Sequence, residues 1–382
     1  MAIGRLALRH CQRALHRLST APGATLRVVG NSSCSKLVVK TNMETYVAEL
    51  EAAAEDGIKC SDDEVAAWAT NDGDDLSVAV AAHSATISVP ASFNVTVAMD
   101  GDCDVDLSGW LEGTVDVVVS GRGAVGVNTV RGLLTRVVTG GGDVRVDHVE
   151  GNLAVTGAND VKLGKIMGEE VDIDATGVVN GRALYAKRLD VAAAGGVHAA
   201  VLSAEGGELS IGSDTTINSC EGELSIVVDN GKLTVQASEA LRALSVEVKS
   251  EADPTATSVS LFLPEGLPAV ASVRAGELKL DERLCADGGG TAAAVGDGGE
   301  AAEIALGGAP KEGLKPCTLR IDAPSHEVSV SQQSWMERMQ MKMQLSKATE
   351  DDGQANEPPP QSGAAGGYGY GPDASRRSRR GM

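Results

Sequence analysis

Hydrophobic and polar residues alternate with a period of two in many short segments, each bounded by Gly, Asp or Asn. Val115, Val117 and Val119 form one such segment, and Val125 and Val127 form the next after a Gly-rich stretch. Short alternating segments of this kind are typical of β-strands with one buried face. The pattern predicts a protein built mainly from short strands and tight turns.

The alternating segments recur at a nearly constant spacing between about Asn94 and Glu239. Clear copies have spacings of 19, 19, 19 and 17 residues and begin at Asn94, Gly113, Gly132, Gly151 and Gly168. Weaker copies begin near Ala186, Gly206 and Gly222. A fixed period of about 16–20 residues indicates that each copy is one rung of a stack. The chain is therefore predicted to be all-β, a β-helix-like solenoid with terminal caps and a short C-terminal helix.

The stretches on either side of the repeats are predicted to close the two ends of the stack, because an open end would leave strand edges unpaired. Residues 41–93 are the predicted N-terminal cap, with a short helix around Met43–Ala54 and strands near Leu76–Val80 and Thr86–Val89. The repeats and the strands that continue them occupy residues 94–284.

The C-terminal part of the chain divides into three predicted segments. Residues 285–318 are rich in Gly and Ala and are interpreted as a flexible insert. Residues 319–346 are predicted to form a final strand and a cap helix, whose apolar face carries Trp335, Met336, Met339 and Met343. Residues 347–382 are polar and rich in Pro and Gly, which is typical of disorder.

Basic residues recur at every fourth position near the N-terminus, and no acid precedes Glu44; the basic residues are Arg5, Arg9, Arg13 and Arg17. On a helix they would follow one face, and the opposite face would carry Leu8, Cys11, Leu15 and Leu18. Such a segment is typical of a mitochondrial import signal, with a chloroplast transit peptide as the alternative. Residues 1–40 are therefore interpreted as a mitochondrial presequence, with a processing point near Arg17–Thr20 and the matrix as destination.

The composition indicates a narrow core and an acidic exterior. Aromatic residues make up 2% of the chain and hydrophobic residues 42%, so stacked aliphatic side chains must fill the interior. The net charge of −20 disfavours nucleic acid and anionic membranes as partners. The longest uncharged run, Val78–Met99, alternates as a strand does, so no membrane span is expected.

The cysteines are odd in number and no two have CxxC spacing, which argues against a zinc site or a disulfide framework. Free thiols in a reducing compartment are expected. The seven residues are Cys11, Cys34, Cys60, Cys103, Cys220, Cys285 and Cys317.

Two motifs resemble ligand sites but have a simpler interpretation. Gly121–Gly126 matches GxGxxG, yet strand residues follow it where a dinucleotide fold needs a helix, so it is interpreted as a repeat turn. The alternating aspartates Asp100, Asp102, Asp104 and Asp106 resemble the start of a calcium loop. Val105 and Leu111 stand where that loop needs Gly and an acid, so the aspartates are interpreted as the solvent face of a strand.

Other polar residues raise the alternative of an enzyme. Asp172 and Asp174 could be the carboxylate pair of a carbohydrate-active β-helix, but Trp110 and Tyr185 are almost the only aromatic platforms for sugar rings. Acid–base chemistry is an alternative for Asp147, His148 and His198, and contact with RNA or a nuclear signal is an alternative for Tyr368, Tyr370 and Arg376–Arg380. These are interpreted as exposed polar residues and a solvated tail. No catalytic, cofactor-binding or metal-ligating residue is predicted.

The repeats resemble the putative-adhesin domain, a domain of unknown function found in bacterial envelope proteins, and more closely its mitochondrial animal branch. Two segments carry the resemblance, VRGLLTRVVTGGGDVRVDHVEGN (Val130–Asn152) and the more specific IDAPSHEVSVSQQSW (Ile321–Trp335). It covers roughly residues 75–345, and the Ala286–Pro310 insert departs from it. The resemblance implies a β-solenoid in the mitochondrion and supplies no catalytic residues.

The sequence therefore predicts a non-enzymatic, adhesin-like scaffold or protein-interaction module in the mitochondrion. Its partner is predicted to be a protein rather than nucleic acid. The alternative is a carbohydrate-active enzyme of the β-helix type, or a protein that binds a divalent cation or a small ligand.

Overall fold

The computed structural model describes residues 14–19, 23–42, 47–53, 67–72, 75–80, 83–249, 252–285, 300–306, 315–334, 336–337 and 339–340. The chain divides into two units, residues 1–336 and 337–382, and the first contains every strand named below. The N-terminal strands are β1 (Ala14–Ser19), β2 (Thr25–Gly30), β3 (Lys36–Asn42), β4 (Val47–Ala53), β5 (Ala67–Asp72), β6 (Asp75–Val80), β7 (Ser84–Pro90), β8 (Asn94–Met99), β9 (Asp104–Leu111) and β10 (Val115–Val119).

The central strands are longer and end in a more complex C-terminal group. They are β11 (Val125–Thr139), β12 (Val144–Ala158), β13 (Val161–Ala175), β14 (Val179–Ala193), β15 (Val197–Ile211), β16 (Thr215–Val228) and β17 (Lys232–Val248). The C-terminal elements are β18 (Ser258–Pro264), β19 (Ala269–Leu280), the helix α1 (Glu282–Cys285), β20 (Glu300–Leu306) and β21 (Cys317–Gln333). The predicted all-β solenoid is confirmed.

Successive rungs pair in parallel and in register. Val144 is opposite Val161, which is opposite Val179, which in turn is opposite Val197. The side-chain hydrogen bonds between neighbouring central rungs join residues 16 to 20 positions apart, for example 18 between Val178 and Asp160. The period read from the sequence is therefore the rung of the solenoid.

Each long central strand crosses a bend near its middle. In β12 the inward residues are Val144, Val146 and Val149 before the bend, and Leu153 and Val155 after it. Tight turns containing Gly, Asp or Asn join one long strand to the next. The bend and the turn thus alternate along the chain, and each forms a column along the stack.

The core is one continuous column of aliphatic side chains, as the composition predicted. Val117 is fully buried between Val97 and Val137 of the neighbouring rungs. Strands of adjacent rungs lie about 4.8 Å apart, so equivalent side chains contact one another directly. Phe93 is the largest of the fully buried side chains in the described residues.

The N-terminal rung is interleaved between two later ones. β2 pairs in parallel with β6 on one side and β8 on the other, and β3 likewise lies between β7 and β9. Leu26 and Leu37 are fully buried in the shared core. The predicted boundary of the presequence at residue 40 is therefore wrong for the folded chain, because residues 25–40 are core strands.

Antiparallel strands line the N-terminal end of the stack. β5 pairs with β6, while β4 pairs with β7 and with β1. The helix predicted around Met43–Ala54 is wrong, since residues 47–53 form β4 with Leu50 opposite Ile87. Ala14–Ser19 is also a strand, which corrects the last part of the predicted N-terminal helix. Residues 1–13 lie outside the described part of the chain.

The C-terminal end repeats this interleaving. The first half of β21 lies between β17 and β19, and its second half lies between β18 and β19. β20 then pairs antiparallel with the first half of β19. The prediction that residues 285–318 form a flexible insert is wrong for Glu300–Leu306, because these residues form β20 and extend the sheet.

The segment after β21 is helical at residues 336–337 and 339–340. Met336 is 65% exposed, so the structure does not show this side chain covering the core. Trp335 and Met343 lie outside the described residues, and their role as a cap stays a prediction. Among the helices of the described residues, none has the length and apolar character that crossing a membrane requires.

Candidate functional site

The bends of seven successive rungs, β11 to β17, form an open groove with a volume of about 890 Å³. Its floor is a column of small residues in mutual register: Gly132, Gly151, Gly168, Ala186, Ala204 and Gly222. At one rung per about 4.8 Å, the floor is about 24 Å long. This length suits an extended segment of about seven residues.

The floor residues must be small because the backbones approach closely at the bend. A Cβ atom on Gly222 would lie 1.8 Å from the carbonyl oxygen of Ala204, and the φ of Gly222 is +80°. A side chain there would be strained and would also clash. The close approach of neighbouring backbones therefore restricts these positions to small residues, and the larger side chains on either side stand above the floor.

One wall of the groove is a paired column of larger side chains. Glu150 is opposite Met167, Met167 opposite Tyr185, Tyr185 opposite Ser203, and Ser203 opposite Glu221. Tyr185 is 38% exposed. A tyrosine half open to solvent offers a flat apolar surface and a hydroxyl, which suits recognition.

The other wall combines apolar and charged groups. Leu133 is 86% exposed, the highest exposure among the large hydrophobic residues that the structure describes. Further along are Glu169, Lys187 and Glu205. Lys187 forms an ion pair with Glu169, which raises the pKa of Lys187 and lowers that of Glu169 through the shared hydrogen bond.

A polar cluster adjoins the first rungs of the groove and reaches it through Glu150. Arg131 stacks over the ring of Trp110 with 4.6 Å to the centroid, and its Nε lies 3.3 Å from Glu150. Glu150 also pairs with the Nε2 atom of His148 at 3.1 Å. The hydrogen bond with His148, followed by the charge of Arg131, holds the pKa of Glu150 below its usual value. His148 is thus a partner of Glu150, not an isolated acid–base group.

The GxGxxG motif is a turn, as predicted. A Cβ on Gly123 would lie 2.0 Å from the carbonyl oxygen of Cys103, so Gly permits the turns of two rungs to stack. Val125 begins β11 directly afterwards, and no helix is present to receive a pyrophosphate.

The aspartates of the calcium-like motif hold the stack together. The Oδ1 atom of Asp102 accepts the N–H of Arg122 at 2.7 Å, and that of Asp104 accepts the N–H of Ala124 at 2.8 Å. The same bond recurs from Asp160 to Val178 and from Asp214 to Lys232, at 2.8 Å in both. Within the described part of the chain, no three His, Cys, Asp or Glu side chains converge as metal ligands.

The carboxylates considered for glycoside chemistry are exposed on one strand. Asp172 lies opposite Ala154 and Asp190, and Asp174 lies opposite Ala192. Both lie on the outer face of β13, outside the groove at the bend. His198 is likewise exposed on β15. The structure does not bring these residues together with Tyr185 and Trp110.

The sequence contained a signal for the groove that was not interpreted as a site. The glycines that mark the start of the repeats, Gly132, Gly151, Gly168 and Gly222, are the floor residues. They indicated the period but not that they would face solvent, because glycine is equally expected in buried turns. Leu133 and Met167 stand directly beside two of these glycines, and nothing in the sequence indicated that the glycines line a groove, so neither was predicted as a site residue.

Comparisons with known proteins add little to this geometry. No family model and no curated protein matches the chain. A putative adhesin from Bacteroides fragilis NCTC 9343 is similar at 8% identity, with a TM-score of 0.30, over 85% of this chain and 98% of the other. A putative cell adhesion protein from Clostridium sporogenes ATCC 15579 is similar at 8% identity, with a TM-score of 0.16, over 84% and 100%.

Proposed function

We propose that the protein is a non-enzymatic, adhesin-like β-solenoid scaffold of the mitochondrion that binds a partner protein in the bend groove. The observation that carries the proposal is the groove itself, a low floor between walls that expose Leu133 and Tyr185. Exposed apolar groups that rim a concave surface are typical of protein-binding sites.

The charge of the groove indicates which kind of segment it binds. Four carboxylates line it (Glu150, Glu169, Glu205 and Glu221) against the two cations Lys187 and Arg242. The whole chain carries a net charge of −20, which extends the same negative field beyond the groove. The partner is therefore an extended peptide segment in which apolar residues alternate with Lys or Arg, since one face of such a segment would meet the wall that carries Tyr185 and the opposite face would meet Glu169 and Glu205.

A direct test uses the purified full-length chain and two fluorescein-labelled heptapeptides, one alternating Lys with Leu and one alternating Glu with Leu. Fluorescence anisotropy should show binding of the Lys peptide only. Tyr185→Asp should weaken that binding at least about tenfold, because an interface residue at the centre of a groove carries much of the affinity. Val270→Asp is the matched control, since Val270 is 47% exposed on β19 and does not line the groove.

Equal loss of binding in both variants would show attraction to the acidic body alone and would contradict the groove. Tight binding of the Glu peptide would contradict the proposed charge of the partner. A photo-crosslinking amino acid at position 185, compared with one at position 270, extends the test to intact mitochondria.

The mitochondrial location is part of the proposal and rests on the N-terminal cations. Cleavage near Arg17–Thr20 would leave β2 and β3 intact, since β2 begins at Thr25. Replacing Arg5, Arg9, Arg13 and Arg17 with Glu should leave a tagged chain in the cytosol, whereas replacing them with Lys should preserve import. Mitochondrial retention of the Glu variant, measured by fractionation, would refute this part of the proposal.

A further inference from the structure

Two buried cysteines from distant parts of the sequence meet where the interleaved N-terminal rung contacts its neighbour. Cys34 lies in the turn between β2 and β3, and Cys103 lies in the turn between β8 and β9. Their Sγ atoms are 3.3 Å apart although 69 residues separate them along the chain. The pairing of Lys36 with Asp104 fixes the two turns beside each other.

The geometry is close to that of a covalent bridge. Adjacent rungs lie about 4.8 Å apart, within the range of about 4.4–6.8 Å that disulfides span between Cα atoms. The two sulfur atoms therefore need only a shift of about 1.3 Å to reach the bond length of about 2.05 Å.

The two thiols also differ in reactivity. The hydrogen bond that Cys103 donates lowers the pKa of Cys34 and raises that of Cys103. Burial instead raises the pKa of Cys220 to about 12 and that of Cys317 to about 11. Since the thiolate is the nucleophile, we expect Cys34 to be the attacking thiol of the pair.

We propose that Cys34 and Cys103 form a reversible disulfide that staples the interleaved first rung to the solenoid. The oxidant is a low-molecular-weight disulfide such as glutathione disulfide. The Cys34 thiolate attacks one of its sulfur atoms, forming a mixed disulfide and releasing one glutathione thiolate, which takes up the proton lost by Cys34. Oxidation of Cys34 removes the thiolate that held the Cys103 proton, so Cys103 can lose that proton and attack the Cys34 sulfur; the second glutathione leaves as a thiolate and takes the proton up. Two protein thiols are oxidised and one glutathione disulfide is reduced to two glutathiones.

Access to the pair depends on a short turn. Cys34 is 2% exposed, but Asn31, Ser32 and Ser33 beside it are exposed and link the two strands. Local opening of this turn would expose Cys34 without separating the β2 and β3 pairings. Oxidation is therefore expected to be slow and to follow the opening of the turn.

The Cys34–Cys103 disulfide would oppose the separation of the first rung, formed by β2 and β3, from the rest of the solenoid. In the chain-entropy account, closing a loop of 69 residues restricts the unfolded chain strongly. We expect the oxidised full-length chain to melt about 5 °C or more above the reduced chain. The same bond should slow proteolysis within the N-terminal rungs.

The test incubates the folded full-length chain with glutathione disulfide, blocks the remaining thiols in denaturant and maps peptides without reduction. A Cys34–Cys103 peptide is expected, together with the rise in melting temperature. Cys34→Ala and Cys103→Ala should each abolish both, while Cys220→Ala should abolish neither. Peptide mapping of the wild-type chain detects the disulfide directly, so the result stands even if one of the variants fails to fold.

Full alkylation of Cys34 and Cys103 after prolonged oxidation would overturn the proposal. So would a bridge from either residue to a different cysteine. A mixed disulfide with glutathione that persists on Cys34 would also overturn it, because Cys103 would then not complete the second step.

Discussion

Single residues in this solenoid are specified by a simple rule, because burial alternates along every strand and equivalent positions stack. Val28 is 1% exposed and its neighbour Val29 is 58% exposed, although the two side chains are identical. The chemical environment of a valine therefore depends on its place in the rung and not on its type. Substitutions at adjacent positions should differ greatly in their cost.

Val117→Asp should unfold the central rungs. Val117 is fully buried between Val97 and Val137, so the new carboxylate would lose its hydration and gain no partner. The cost is about 3 kcal/mol or more. A thermal melt followed by circular dichroism measures it. Val29→Asp is the control and should melt within a few degrees of the parent; a similar melt for Val117→Asp would mean that Val117 faces solvent.

Residue-scale predictions from the sequence succeeded where the period of two holds. The inward positions of β10 and β11, including Val115, Val119 and Val125, are buried as the alternation indicated. The sequence did not locate the bends, because the alternation of buried and exposed positions breaks there, as it does from Met167 to Glu170 in β13. The groove lies at these breaks, so a pattern with a period of two could not predict the site.

Elements at both ends of the stack are arranged in an order that differs from their order in the chain. β2 and β3 lie between rungs formed by β6 to β9, and β21 lies between β17, β18 and β19. The pattern of β2 or β21 alone shows a strand but not its partner, because pairing over such distances depends on the whole stack. For this reason the predicted presequence includes the core strands β2 and β3, and the predicted insert includes β20.

Interleaving has a consequence for assembly of the fold. The first rung can be completed only when later strands flank it, and the last strand must enter between strands that precede it. Such contacts are non-local and slow to form. Truncation from either end would therefore remove an internal layer, whereas in a simple solenoid it would remove only the outermost one.

Replacing Glu300–Leu306 with a Gly/Ser linker of equal length should promote self-association. β20 pairs along Ala269–Ala275 of β19, and without it these backbone groups form an open edge. Size-exclusion chromatography with light scattering should then show oligomers or aggregates. The control is the same replacement at residues 287–293, which should leave the mass unchanged; a monomeric β20 variant would contradict the role of β20 as an edge cover.

The molecule as a whole combines a large negative charge with carboxylates that are held by hydrogen bonds. Across the chain the acids outnumber the bases by 53 to 33. The hydrogen bond with His148 lowers the pKa of Glu150, and that with Lys187 lowers the pKa of Glu169. Backbone N–H groups, chiefly that of Thr255, lower the pKa of Asp253, and that of Arg283 lowers the pKa of Asp281. All four lowered pKa values stabilise the folded state at neutral pH.

Their effect on stability has a definite sign. A carboxyl whose pKa is lower in the folded state stabilises that state at neutral pH, and this stabilisation is lost as the pH falls through the folded value. The loss should begin near pH 4.5, the ordinary value for Glu, and continue below 3.8, that for Asp. Protonation also relieves repulsion between the many acids, which acts in the opposite direction.

Salt separates the two effects. At about 0.5 M salt, long-range repulsion is screened, whereas hydrogen bonds to Asp253 persist because they are short and local. The melting temperature at high salt should therefore fall steadily from pH 5 to pH 3. Asp253→Asn keeps an acceptor for the Thr255 N–H but cannot titrate, so its melting temperature should fall less over the same range. Differential scanning calorimetry across this range measures both slopes. Identical slopes for parent and variant would show that the loop around Asp253 does not contribute to acid stability, and a melting temperature that rises on acidification at high salt would show that repulsion dominates even when screened.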